Sequence, residues 1–456
     1  MFGIGSILRM IHSWTFRQRR LNGLLWLAIG LFIFGILVKI SWLYRPINLY
    51  TNQAAFDTFY YHVPQINEFI TNGLSEKYHN FVSMTPGLHI AYAYVARFFN
   101  LGEFDYQSPT LFAIHSVWMV LYLALNVGIV HSVCLRNEAS MIIAIPLLAS
   151  SYAVFSWIWP TTDLPAADLY LTAVFLEFQT WPSDRARMLI YAALGVVGIL
   201  IRQQYVFLAG VPAGIIVIEA ILSRRLPELR RLAFYLLPLI PSILILGFLI
   251  HIWGGLVPPD QAYHFAPLSA PIALAHILGF TGLIGAPFAL SLWRLLRQTE
   301  INPSAAIITA VIVAVFAVAI LPLNASVSDG RYGSLLWTIE DHLRSNSLRL
   351  LYLFSAISLG TAIWFAVITI CVRLQYAPPT LVIFGLYWLT LLVEERCFQR
   401  YIEEPILLTL SVFILLLARL PKFERIVWII WFGLYGVVWW GKLLVNVGGL
   451  GQRWPA

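Results

Sequence analysis

Long apolar runs cover nearly the whole chain, broken at short intervals by arginine, acid, proline or glycine. A hydrocarbon core about 30 Å thick asks for about 20 apolar residues in each crossing helix, and most of these runs match that length. The pattern predicts spans near residues 21–44, 106–133, 139–159, 164–180, 188–200 with 203–222, 232–253, 268–292, 305–323, 349–372, 378–393, 404–419 and 426–446. That makes about 12 or 13 helices, with no room between them for a soluble domain of ordinary size. One all-α, polytopic membrane domain over residues 1–456 is therefore expected.

One stretch departs from the pattern. In LGVVGILIRQQYVFLAG the first apolar member is short, and Arg202 interrupts the run where two half-length helices could meet. The longest segment between spans, residues 45–105, carries shorter amphipathic stretches. Pro64 is placed to start a helix with Ile66, Phe69 and Ile70 on one face, suited to lie at a membrane interface. A second helical stretch, residues 88–99, is too short or too interrupted to span.

Composition supports this reading. Of the 456 residues 60% are hydrophobic and only 11% charged, against about 25% charged in soluble domains. A net charge of +7 could suggest nucleic acid, but its distribution gives it another meaning. With the N-terminal RMIHSWTFRQRR inside, before a first span too long for a cleaved signal peptide, alternate turns collect Arg136, Arg185, Arg187, Arg224, Arg225, Arg294, Arg297 and Arg419. The other side holds most of the acids, among them Asp57, Asp163, Asp260, Asp329, Glu394, Glu403 and Glu404. This positive-inside asymmetry makes the charge a mark of topology, and no nucleic-acid partner is expected. The three cysteines, Cys134, Cys371 and Cys397, imply neither a disulfide framework nor a metal site.

Candidate chemistry gathers on the acidic side. In TNQAAFDTFYYHVPQINEF, Asp57 stands among Phe56, Phe59, Tyr60 and Tyr61, which would exclude water and raise its proton affinity toward that of a general base. The plainer reading is a solvated loop acid. His62 is a second proton handler or a histidine bonded within its loop. In SMTPGLH, Thr85 reads as a cap and Pro86 as a first-turn residue, with a role in shaping a sugar pocket equally open. WIWPTTDLPAADLY puts Asp163 at the outer end of a span, as a cap or a ligand, and Asp168 inside the span, where an acid must be paired or functional. Arg202, with Gln203 and Gln204, either faces a phosphate or pairs with Asp163.

Later outer loops add Asp260 and His264 in GGLVPPDQAYHF, Arg331 and Tyr332 in NASVSDGRYGSLLW, and Arg396 and Arg400 in VEERCFQRYIEEP. Basic and aromatic residues on the face of Asp57 suit an anionic lipid headgroup and a carbohydrate. No Walker loop, HExxH, GxSxG or EF-hand pattern occurs. Asp57 and Asp163 form one pairing that a divalent ion could take, though no metal or other cofactor is favoured.

These outer-face motifs, in order, resemble the Alg10/Die2 family of alpha-1,2-glucosyltransferases, membrane enzymes of the GT-C class. The likeness covers nearly the whole length. DTFYYHVPQ is similar to the family's first-loop pattern at Asp57, His62, Pro64 and Gln65, and TPGLH to its Thr-x-Pro-Gly-Leu at Thr85 to Leu88. IRQQY resembles Phe-Arg-Gln-Thr-Asn at Arg202 and Gln203, and GGLVPPD matches at Gly254, Gly255, Val257 and Asp260. SDGRYGSLLW matches at Asp329, Arg331 and Tyr332, and VEERCFQRYIEEP resembles the late Leu-Leu-Glu-x-Arg-Tyr-Phe segment. The family's glutamate after the aspartate is replaced by Thr58, which leaves Asp57 as the acid of the motif.

The resemblance implies a GT-C type fold and an inverting transfer of a sugar, glucose in alpha-1,2 linkage. The donor would be a polyprenyl- or dolichyl-phosphate monosaccharide, and the acceptor a lipid-linked or surface glycan on the non-cytoplasmic face. Asp57 would be the base, and His62, Gln65, Asp163, Arg202, Gln203, Asp260, His264, Arg331, Tyr332, Arg396 and Arg400 would bind substrate or its phosphate. Few lysines beside many arginines favour a bacterial plasma membrane, with the endoplasmic reticulum membrane as the eukaryotic counterpart. Two other readings stand beside this one: a transporter or flippase of a lipid-linked glycan, and an enzyme like the O-antigen ligases and polymerases.

Overall fold

The computed structural model describes residues 4–43, 56–73, 82, 84–134, 138–148, 150–180, 182–259, 270–320, 335–391 and 399–448. Helices make up nearly all of them, and no strand occurs among them. In chain order they are α1 (Ile4–Leu43), α2 (Val63–Asn72), α3 (Gly87–Phe98), α4 (Pro109–Cys134), α5 (Ala144–Leu148), α6 (Ser151–Ile158), α7 (Asp163–Glu177), α8 (Asp184–Ile201) and α9 (Phe207–Ser223). There follow α10 (Leu229–Leu236), α11 (Leu239–Trp253), α12 (Ala270–Gln298), α13 (Pro303–Ile320), α14 (Leu335–His342), α15 (Asn346–Leu374), α16 (Pro379–Leu391), α17 (Gln399–Leu417) and α18 (Lys422–Gly448).

Among the described residues, five helical stretches are long and apolar enough to cross a membrane: Leu21–Ile40, Pro109–Val133, Gln203–Ser223, Ala273–Gln298 and Asn346–Leu374. The pair α10 and α11 makes a sixth if it is one span bent by 49°. Its bend falls at Leu237 and Pro238, where proline removes a backbone donor. The chain is thus an all-helical protein built like a polytopic membrane protein, while the larger count of spans expected from the sequence is not reached by helix length. Several expected spans are short helices here, such as α7 with 15 residues and α16 with 13. The single span expected over 139–159 is instead a 3-10 turn (Glu138–Ile143) followed by α5 and α6, with Ser150 capping α6 through the Ala153 amide.

The expected amphipathic helix after Asp57 is α2, with Pro64 in its first turn, Ile66 and Phe69 buried and Ile70 half-buried. Positions three and four apart share one helix face, which explains the match. The interruption at Arg202 is also found: its backbone is extended, at φ −154° and ψ 127°, between α8 and a 3-10 turn over Gln203–Val206.

Small residues set the closest helix contact. A Cβ on Gly282 of α12 would run into the Ala356 carbonyl oxygen of α15, and one on Gly360 would run into that of Leu278. Backbone approaches backbone there, the packing that glycine permits between membrane helices.

Two sets of helix ends face opposite ways. The start of α7 meets the end of α8 through Asp163 and Arg202. At the far ends of the same helices Arg187 pairs with Glu177 at 3.0 Å. Near the end of α17, Arg294 pairs with Glu424 at 2.7 Å and also donates to the Arg419 carbonyl. The arginines that the sequence assigns to one side therefore hold helix ends remote from Asp163.

Candidate functional site

The site is built around the turn from α6 into α7, WPTTD. Ser156 and Thr161 share a hydrogen bond of 2.6 Å, and the Leu164 amide donates to Ser156 Oγ. Thr161 Oγ1 in turn donates to Asp163 Oδ2 at 3.2 Å. These bonds fix Asp163 at the first turn of α7, where the helix dipole also favours a carboxylate. Thr162 flanks the helix without a side-chain cap bond. Its hydroxyl is used sideways, donating to Met84 Sδ and accepting from Arg202 Nε at 3.0 Å.

Arg202 closes the cluster. Its Nη2 pairs with Asp163 Oδ1, and the side chains are only 5% and 12% exposed. Of the two roles open to Arg202 in the sequence, the ion pair is therefore realised. Gln203 donates to the Leu256 carbonyl at 2.9 Å, tying the α8–α9 break to the segment after α11.

The segment after α1 is laid over this cluster. Thr58 Oγ1 donates to the Pro160 carbonyl at 3.3 Å, seating the π-helical turn Thr58–His62 on the α6–α7 turn. Asp57 directly precedes that turn and is half-buried. Thr85 does not cap α3, as the sequence suggests; Pro86 holds the cap position, and the Thr85 hydroxyl donates to the Ile199 carbonyl of α8. Gly87 follows because a Cβ there would strike the Leu200 carbonyl oxygen. DTFYYH, TPGLH, WPTTD and IRQQY, scattered over about 150 residues of chain, thus form one corner.

His62 and His89 are both buried, with Nδ1 of the first 2.9 Å from Nε2 of the second and ring planes within 6°. Burial lowers the His89 pKa to about 3, so the bond joins a neutral His89 to His62. Gln65, fully buried on α2, lies one turn beyond.

Two small adjoining pockets open beside Asp163 and share Ala167 and Glu404 as further walls. One is bordered by Ser156 and Glu403, the other by Arg202 and by Tyr170, Tyr205 and Tyr387. Tyr387 stands 5.6 Å from Tyr170 and 5.7 Å from Tyr205 between ring centroids, making an aromatic wall. Carboxylates, a guanidinium and aromatic faces bring together acceptors for hydroxyl groups, a positive charge and flat apolar surfaces.

Of the expected site residues, Asp57, His62, Gln65, Asp163, Arg202 and Gln203 come together in this corner. Asp260, His264, Arg331, Tyr332 and Arg396 lie outside the described residues. Arg400 falls in the first turn of α17, with its side chain outside the description. The sequence reading missed Glu403 and Glu404 as site residues, since acids at the start of an apolar run read as loop charges. Both are buried, and Glu404 accepts from Asn126 Nδ2 at 3.1 Å. The pair directly before Pro405 was the available signal. Among the described residues, no three histidine, cysteine, aspartate or glutamate side chains are grouped closely enough to hold a metal ion.

No family model, no curated protein sequence and no solved structure matches the chain.

Proposed function

We propose that the chain is an inverting membrane glycosyltransferase of GT-C type. It moves a sugar, glucose in alpha-1,2 linkage, from a polyprenyl- or dolichyl-phosphate carrier to a lipid-linked or surface glycan on the non-cytoplasmic face. The observation that carries this reading is the seating of the Asp57 turn, through Thr58, on the same α6–α7 corner where Asp163, Arg202 and the tyrosines line a pocket.

In the proposed reaction the acceptor hydroxyl gives its proton to the Asp57 carboxylate as its oxygen attacks the anomeric carbon. The bond from that carbon to the phosphate oxygen breaks, and the electron pair leaves with the polyprenyl phosphate. Arg202 stabilises that departing charge, with Asp163 and Thr162 fixing its orientation. Attack from the opposite face turns a beta-linked donor into an alpha-linked product.

The test is transfer by protein reconstituted in vesicles with polyprenyl-phosphate glucose and candidate acceptor glycans. Asp57→Asn should lose about 10²–10⁴-fold in rate, the usual worth of a positioned base. Full transfer by Asp57→Asn would remove Asp57 as the base. Loss in Asp163→Asn or Glu404→Gln instead would move that role into the pocket.

Transport or flipping of a lipid-linked glycan is a second reading with one observation in its favour. Asp168 is fully buried in α7, and neither carboxylate oxygen has a hydrogen-bond partner. Acids placed so in a membrane bundle commonly serve ion or proton pathways.

A further inference from the structure

Beneath the pocket the bundle interior holds buried hydrogen-bond acceptors that no donor reaches. Asp168 lies five residues past Asp163, about 7.5 Å deeper along α7 at 1.5 Å per residue. Both of its carboxylate oxygens are buried with no hydrogen-bond partner. From α4, Asn126 donates its Nδ2 to the Tyr122 carbonyl at 3.1 Å and to Glu404 Oε1 at 3.1 Å. Those two bonds pin the amide, because a flipped Asn126 would set its oxygen against two acceptors. Its Oδ1 is then also buried with no partner.

The helices that carry these groups, α4, α7 and α17, pack on one another. Glu404 of α17, Tyr122 of α4 and Tyr92 of α3 lie within electrostatic reach of Asp168. None is a cation. Arg202, the nearest arginine on the adjoining helix end, is engaged by Asp163. Lys39 is likewise used, donating to the Ile158 carbonyl at 3.0 Å over the Trp159 ring. Tyr92 Oη is 2.6 Å from His115 Nδ1 and accepts from Trp118, and the Tyr122 hydroxyl donates to the Leu147 carbonyl.

Two buried carboxylates and an amide oxygen, with no positive charge among the groups named above, form an arrangement that a bound cation would satisfy. Desolvating an uncompensated carboxylate is costly even after relaxation, and a second acid nearby raises that cost. We propose that Asp168, Asn126 Oδ1 and Glu404 form a buried site for one small monovalent cation, sodium or a proton, reached from the pocket through Glu404. Glu404 borders both pockets while its charge bears on Asp168, so it is the link between the two. An oxygen-only donor set with surplus lone pairs suits a hard cation that shares charge between the acids. This inference does not depend on the glycosyltransferase reading, and it holds equally for a transporter.

The experiment uses the full-length protein in detergent and follows its thermal unfolding. One arm exchanges choline chloride for sodium chloride at constant ionic strength. The other moves from pH 9 to pH 8, above the range where an ordinary histidine titrates. A sodium site gives a rise in melting temperature in the first arm, and a proton site gives a rise in the second. Either rise should vanish in Asp168→Asn, whose amide keeps the shape and removes the charge. In parallel, the wild type is treated with dicyclohexylcarbodiimide, which labels protonated carboxyls in apolar surroundings, and the label is mapped by mass spectrometry. A proton site predicts label on Asp168, and a sodium site predicts protection of Asp168 by sodium but not by choline. This mapping needs no variant, so it decides the matter even if Asp168→Asn does not fold. A wild type indifferent in both arms, a response retained in Asp168→Asn, or an Asp168 without label or sodium protection overturns the proposal.

Discussion

Arg202 holds Asp163 across the break between α8 and α9, joining the extended residue that ends one helix to the first residue of another. The arginine's second contact, Nε to the Thr162 hydroxyl, makes the bond directional. An ion pair this deeply placed gains little over an apolar pair of similar size, yet losing one partner leaves the other charge stranded. Arg202→Leu should therefore destabilise the protein by about 3–5 kcal/mol. The double variant Arg202→Leu with Asp163→Leu should recover much of that loss. Denaturant titration of the two single and the double variants measures the coupling. Additive effects would mean that the pair does not hold the corner together.

Gly87 sits where α3 enters against the end of α8. Its absent side chain is the condition for that approach, because the obstacle to a Cβ is the Leu200 backbone carbonyl, which cannot swing aside. Gly87→Ala should cost about 1–3 kcal/mol by overpacking and should loosen α3 from α8. Gly102→Ala is a control of different character: that glycine has open space around it but a φ of +72°, so its cost is backbone strain alone. Hydrogen exchange across Thr85 to Tyr92 separates the two variants. Equal protection of that segment in both would count against a close contact at Gly87.

Much of this corner was legible in the sequence, and the reason is local. Proline at 64 fixes a helix start, and Ile66, Phe69 and Ile70 repeat at helical spacing, so α2 follows from residues within one or two turns of each other. An arginine in an apolar run announces itself for a similar reason, since its cost must be met nearby. Thr85 shows where such reasoning stops. Its type and place before Pro86 suggest a cap, whereas its bond goes to a carbonyl 114 residues away. Glu404 carries no such local mark, because its partner Asn126 lies 278 residues away and leaves no trace in its neighbourhood. The break of residues 139–159 into short helices escapes the apolar pattern too, since hydrophobicity alone does not tell one long helix from several.

His89 gives the protein an acid sensitivity with a definite sign. Burial holds its pKa at about 3, against about 6.5 in an unfolded chain. The unfolded state therefore takes up a proton that the folded state refuses. Its contribution to stability is intact above about pH 6.5 and is lost progressively as the pH falls toward 3, by about 1.4 kcal/mol per unit once well below 6.5. His89→Gln has no such group, and its amide can still bond His62 Nδ1. Melting temperatures at pH 7, 5.5 and 4.5 should fall more steeply for the wild type than for His89→Gln. Parallel slopes would show that His89 titrates alike in both states.

Glu404 separates stability from activity in a single residue. Its carboxylate is buried at the junction of both pockets, accepts from Asn126, and lies next to a second buried acid, Glu403. Glu404→Gln preserves the shape and keeps an oxygen for Asn126 while removing a desolvated charge, so in choline chloride at pH 9, where no cation fills the site beneath it, it should unfold at or above the wild-type temperature. Glu404→Leu leaves the Asn126 amide one partner short and should cost about 1–3 kcal/mol. Under the glycosyltransferase reading, the charge that costs stability is kept for the substrate, whose hydroxyls it would orient, so transfer should fall at least about tenfold in Glu404→Gln. Melting curves and initial transfer rates measured on the same preparations settle both halves. A Gln variant as active as the wild type would place the substrate elsewhere, and one markedly less stable would mean that the charge has a partner supporting the fold.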